Sequence, residues 1–223
     1  MPEASELTFF HTSQSHVERF ELLRTELAPQ TAARHVVHES LLARAVSEGW
    51  ISSELRREVE QEVAALASGS RVVLCTCSTL GAIAEQVDGV QGARVVRLDR
   101  PMARNAVRAG TRVAIIASVE STVASTVELL EQEAQRAGRS PEFLVSVAEG
   151  AWERFLAGDQ EGYLKLVADC AKRAACEADV VVLAQASMHG AERFTSIQVP
   201  VLASPMLGLE YALELLAAAR NQG

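Results

Sequence analysis

Short apolar runs recur at wide spacing along the chain: "LTFF" (7–10), "HVV" (35–37), "RVVLCT" (71–76), "ARVVRL" (93–98), "RVAIIAS" (112–118), "EFLVSV" (142–147), "VVVLAQ" (180–185) and "VPVLAS" (199–204). Several are continuous rather than alternating, the pattern of parallel strands covered on both faces. The segments between them carry helical spacing. "SHVERFELLRTEL" sets Val17, Phe20 and Leu23 along one stripe. "YLKLVADCAKRAACEA" sets Leu164, Val167, Cys170 and Ala174 on one face, which makes Cys170 a core thiol. "STVASTVELLEQEAQRAG" opens on Ser121 and Thr122, good capping residues, and stops at Gly138. Strand–helix alternation over the whole length predicts an α/β fold with a mainly parallel sheet.

The order of elements repeats. "RVVLCTCSTLG" (71–81) nearly recurs as "DVVVLAQASMHG" (179–190), and "TFFHTS" followed by "VERFELL" resembles "AIIASVEST" followed by "VELL". Cys77 and Ala186 align at an offset of 109, and Pro101-Met102 matches Pro205-Met206 at 104. Similar offsets in the same order predict a duplicated half. The expected architecture is two pseudo-symmetric lobes, each a short, mainly parallel sheet flanked by helices, with the site between the lobes. The first lobe takes residues 1–102 plus 199–223 and the second takes 103–198.

Composition narrows the function classes. The chain has 223 residues, 48% hydrophobic and 22% charged, with a formal net charge of −8 and no Lys/Arg run. That disfavours nucleic acid and anionic membrane as partners. No apolar run reaches the roughly 18 residues of a membrane helix. The start, "MPEASELTFFHTSQ", lacks the pattern of a signal peptide, so the cytoplasm is expected. Cys75, Cys77, Cys170 and Cys176 read as free thiols in that setting, and the five histidines show no ligand spacing, so no metal is expected.

Ligands of open parallel sheets bind beyond the carboxyl ends of the strands. Four such ends carry small polar residues, "HTSQS" (11–15), "TCSTLG" (76–81), "ASVEST" (117–122) and "AQASMHG" (184–190). Hydroxyls and backbone N–H groups at helix starts cradle a carboxylate or phosphate; a helix cap is the commoner reading of any one loop, and four such loops arranged in pairs by the repeat point to a site. The candidate contacts are His11, Thr12, Ser13, Ser78, Thr79, Ser118, Thr122, Gln185, Ser187 and Met188. Cys77 stands at a helix start, where the dipole favours the thiolate, whereas Cys75 lies inside an apolar strand and reads as a small core residue. GxGxxG, Walker and GxSxG sequences are all missing, which disfavours nucleotide enzymes and serine hydrolases.

At "TCSTLG", "RLDRPMARNAVRAGTRVAIIASVESTVASTVELL" and "VVVLAQASM" the chain resembles the aspartate/glutamate/hydantoin racemase superfamily over nearly its full length. The most specific part is Cys77-Ser78-Thr79. The resemblance implies two similar α/β lobes, a substrate held between them, and a cysteine from each lobe working on opposite sides of the α-carbon without a cofactor. Cys77 is the first of these by motif, but Ala186 stands at the second position and cannot exchange a proton. A single thiol leaves several reactions open. These are proton transfer at the α-carbon of a small carboxylate or amino-acid-like substrate as a racemase or isomerase, or a decarboxylase-like lyase reaction. His189 or His11 is a further proton carrier if directed into the cleft. The alternative is an inactive carboxylate-binding protein of the same fold. The resemblance also implies a homodimer or higher homo-oligomer.

Overall fold

The computed structural model describes residues 5–220, apart from the side chain of residue 91. All eight apolar runs form strands, and every strand pair is parallel. The chain divides into two compact units.

The first unit runs through β1 (Ser5–His11), α1 (Ser15–Leu27), β2 (Ala33–Val37), α2 (Glu39–Glu48), α3 (Ser53–Ala67), β3 (Ser70–Cys75), α4 (Ser78–Glu85) and β4 (Arg94–Arg97). Its sheet has the order β2-β1-β3-β4, with Phe10 opposite Cys75 and Cys75 opposite Arg97. Side chains on a strand alternate between faces. Phe10, Val73, Cys75 and Val95 go to one face and pack with Leu41, Leu55, Val59, Leu80 and Ile83 from α2, α3 and α4. Phe9 and His11 go to the other face and meet Phe20 of α1, with ring centroids 5.6 and 5.5 Å apart.

The second unit holds α5 (Arg100–Ala109), β5 (Arg112–Ala117), α6 (Glu120–Arg136), β6 (Glu142–Val147), α7 (Ala151–Leu156), α8 (Gln160–Ala175), β7 (Val180–Leu183) and β8 (Val201–Ala203). Its strand order, β6-β5-β7-β8, repeats that of the first sheet position for position. β5 and β7 are central and buried almost throughout, and β6 is an edge strand with Val145 exposed. Continuous apolar runs thus became covered strands for the reason expected: helices lie on both faces. The chain then returns to the first unit as α9 (Ser204–Arg220).

The crossing points correct two expectations. Residues 99–102, expected with the first lobe, belong with the second, because α5 packs on α6, β7 and β8. Residues 199–204 also belong there, because β8 hydrogen-bonds to β7 with Val181 opposite Val201. The helix of 15–27 likewise buries His16, Phe20 and Leu23, with Val17 turned partly outward. Ser121 and Thr122 lie inside the first turn of α6, whose N-cap is Val119. Cys170 is buried as expected, and burial pushes its thiol pKa up. No helix among the described residues is long and apolar enough to cross a membrane.

Gly208 in α9 shows how tightly this returning helix sits. A methyl group there would run into the backbone carbonyl and the side chain of Leu98. Gly208→Ala is expected to destabilise the chain by about 2–3 kcal/mol in spite of alanine's better helix propensity. A urea midpoint that stays put would mean that α9 is free to shift.

Candidate active site

Cys77 is the N-cap residue of α4, with extended backbone (φ −97°, ψ 112°) and no side-chain capping bond. Its thiol therefore stands at the positive end of a helix, as expected. It is also well enclosed. The residue is 6% exposed and belongs to the core cluster that contains Phe10, Leu41 and Leu80. Cys75 is fully buried, and its thiol donates to the Cys77 carbonyl across 3.6 Å. The two sulfurs differ in place as the sequence suggested, one within the strand and one at the turn. Ser78 and Thr79 form the first turn of α4 and are both buried.

Arg97 was not singled out by the sequence. It ends β4, is 1% exposed, and its guanidinium donates to the Ser78 carbonyl at 3.3 Å. The same side chain lies against Gly81, where an added methyl group would come within 2.9 Å of Nε. A glycine in the first half of α4 leaves room for Arg97, and Arg97 in turn holds the turn that carries Cys77. The only one-dimensional trace of this is a charged residue at the end of an otherwise apolar run.

The opposite face of the first sheet carries a chain of hydrogen bonds. His11 Nδ1 lies 2.7 Å from Thr76 Oγ1, and His11 Nε2 lies 2.8 Å from His35 Nδ1. His35 Nε2 donates to Glu21 Oε2 at 3.1 Å. His16 Nδ1 approaches Thr76 Oγ1 at 3.5 Å. The His11 and His35 rings stack on each other and on Phe9. Burial, followed by the neighbouring His16 and His35, pushes the His11 pKa down to about 2. Burial and then Arg19 bring His16 to about 4. Glu21 is lowered to about 2, chiefly by its bond from Arg24 and also by that from His35. His11 was named as a candidate. The fold joins it to Thr76, while Cys77, the next residue, goes with Phe10 and Cys75.

The remaining candidates are held by neighbours. Ser13 Oγ is 2.8 Å from Ser15 Oγ at the exposed start of α1, and Thr12 is buried. Ser118 donates both its N–H and its hydroxyl to Gln185 Oε1, each at 2.7 Å, tying together the ends of β5 and β7. Thr122 is buried in α6, and its carbonyl accepts from Thr126. Ala186, Ser187 and Met188 form a single 3-10 turn where the first unit has a helix. Ser187 Oγ lies 2.7 Å from the Tyr163 hydroxyl, and Met188 is a core residue beside Ile116 and Tyr163. His189 faces Glu192 at 3.5 Å. A cavity of about 580 Å³ opens between β6 and α8, lined by Ser146, Glu149, Asp169, Cys170 and Arg173 among others. None of the candidates from the sequence lines it.

No family model and no curated protein matches the sequence. Solved structures do match over almost the whole chain. A glutamate racemase isoform from Bacillus anthracis superposes with a TM-score of 0.71 at 12% identity, covering 99% of this chain and 84% of that one. Allantoin racemase from Pseudomonas fluorescens gives 0.62 at 16% identity, covering 96% and 92%. A variant of arylmalonate decarboxylase in a sulfate-bound form gives 0.56 at 17%, covering 95% and 93%. With its two four-stranded parallel sheets of matching order, the chain shares the fold of these racemases and of the decarboxylase, as the resemblance to the aspartate/glutamate/hydantoin racemase superfamily implied.

Proposed function

We propose that the chain is a cofactor-independent enzyme of this superfamily that moves a proton at the α-carbon of a small carboxylate, with Cys77 as the proton carrier. The observation that carries the reading is a cysteine at the N-cap of α4, in the motif Cys77-Ser78-Thr79, within a racemase fold. The thiolate takes the α-proton, so that a C–H bond breaks, an S–H bond forms and the electron pair stays on the substrate as an enediolate. Such an anion needs donors already in place, and helix N-termini supply them. An exposure of 6% suits a group that works with water excluded.

A second reading, a carboxylate-binding protein without turnover, is favoured by Ala186 and by the engagement of Ser187 with Tyr163. The two readings are separated by incubating the full chain with amino acids, dicarboxylates and hydantoins in D2O. Loss of the α-proton signal with appearance of the opposite enantiomer supports the enzyme. Calorimetric binding without exchange selects the binding protein, and neither signal across the panel overturns both.

A further inference from the structure

α8 covers one face of the second sheet unevenly. Its Val167, Cys170 and Ala171 form one core with Ala114 and Ile116 of β5 and with Val181 and Leu183 of β7. The outer strand, β6, sets Ser146 opposite Ile116, and so on the same face. A serine fills little of the space there, and the cavity of about 580 Å³ opens between β6 and α8. Leu166, Asp169, Cys170 and Arg173 line it at the three- and four-residue spacing of one helix face, with Ser146 and Glu149 lining it from the end of β6.

The charges round this cavity are only partly matched by the protein. Asp169 pairs with Lys172 at 3.0 Å. Arg173 lies beside the Cys170 thiol, but burial raises that pKa more than the guanidinium lowers it, so Cys170 stays a neutral thiol. Among the described residues neither Arg173 nor Glu149 has an ion-pair partner, and the Ser146 hydroxyl has no hydrogen-bond partner. A void left by loose packing is lined by apolar groups. This one presents a cation, an anion and a hydroxyl beside Leu166, the mixture that orients a small molecule in a pocket.

We propose that the cavity binds a small zwitterion, a molecule with one carboxylate and one ammonium group such as an α-amino acid or a short peptide. Arg173 holds the carboxylate, since a guanidinium matches its two oxygens with parallel N–H bonds, and the Ser146 hydroxyl donates a further bond. Glu149 holds the ammonium group, and the apolar part of the ligand lies against Leu166. A simple anion would leave Glu149 unmatched beside it, and a simple cation would do the same to Arg173. The volume falls within the range of about 300–1,000 Å³ usual for small-molecule sites. Every lining residue belongs to the second unit and none is a candidate for the chemistry at Cys77, so the site stands apart from the enzyme reading.

The test is backbone amide NMR on the full chain, titrated with L-leucine, leucyl-leucine, leucinamide and isocaproate. Leucinamide keeps only the ammonium group and isocaproate only the carboxylate. L-Leucine or leucyl-leucine is expected to shift the amides of residues 146–149 and 166–173, and the tighter of the two tells a free amino acid from a peptide. Leucinamide and isocaproate are expected to bind about 10-fold more weakly, each having lost one charge-assisted bond. Arg173→Gln is expected to weaken the zwitterion about 10-fold and leave leucinamide unchanged, while Glu149→Gln weakens the zwitterion and leaves isocaproate unchanged. Both side chains are exposed, so the fold should survive either change. No shift at these residues with either zwitterion overturns the proposal, as do shifts confined to the neighbourhood of Cys77. Equal binding of leucinamide or isocaproate, or zwitterion binding untouched in both variants, also overturns it. Absence of α-proton exchange in D2O would remove the enzyme reading and leave this result as it stands.

Discussion

Cys77→Ala is expected to lower α-proton exchange by about 1000-fold, within the range of two to four decades that a positioned acid or base contributes. Cys77→Ser should fall as far, because a hydroxyl has a much higher pKa than a thiol. Folding should change little. Loss of one largely buried sulfur costs about 1 kcal/mol, and the N-cap makes no side-chain capping bond to lose. The matched control is Cys75→Ala, which removes a fully buried thiol two residues away and should leave kcat nearly intact. Equal activity in wild type and Cys77→Ala would place the chemistry elsewhere. Equal loss in both variants would instead point to damage to the turn.

The second large effect is on stability in acid. His11 and His16 are buried, with pKa values lowered to about 2 and about 4 from the ordinary 6.5. The unfolded chain binds protons at these imidazoles below about pH 6.5, while the folded chain does not. Their contribution is therefore complete above that pH and is lost as pH falls. Each imidazole removes about 1.4 kcal/mol per pH unit, so the pair removes nearly 3 until about pH 4, where His16 charges in the folded state too. Glu21 adds its own loss only below the ordinary carboxylate range. By about pH 4.5 the pair has removed about 5 kcal/mol, the lower end of a typical stability of about 5–15 kcal/mol, so the chain should be much weakened before its carboxylates protonate. Urea midpoints at successive pH values should show this slope, and His16→Phe, beside Phe20, should roughly halve it. A flat profile between about pH 6.5 and 5 would mean that water reaches these rings.

Both predictions depend on features of different legibility. Cys77 was readable because its setting is local: a strand, a turn and a helix start in consecutive residues, compared with a second copy that carries Ala186. Arg97 over Gly81 was not, because a clamp joins residues 16 apart whose register is set by the β3–β4 pairing. The histidine chain was even less visible. His11 and His35 show no sequence spacing that means anything, and they meet only because β1 and β2 pair in parallel with Phe9 opposite His35. Met188 and Ser187 looked like loop residues and are instead packed against Tyr163 of α8, a contact no periodicity reports.

By itself the sequence determined the strand positions, the α/β class and the duplicated order of elements, because hydrophobic period and turn residues act over a few neighbouring positions. Only the tertiary structure decided that β8 closes the second sheet, that α5 joins the second unit and α9 returns to the first, and that four side chains, from α1, β1, β2 and the loop after β3, form one hydrogen-bonded line. The physical reason is that parallel strands are joined through long crossovers. Their choice of neighbour is settled by packing across the sheet, which no local stretch of sequence records.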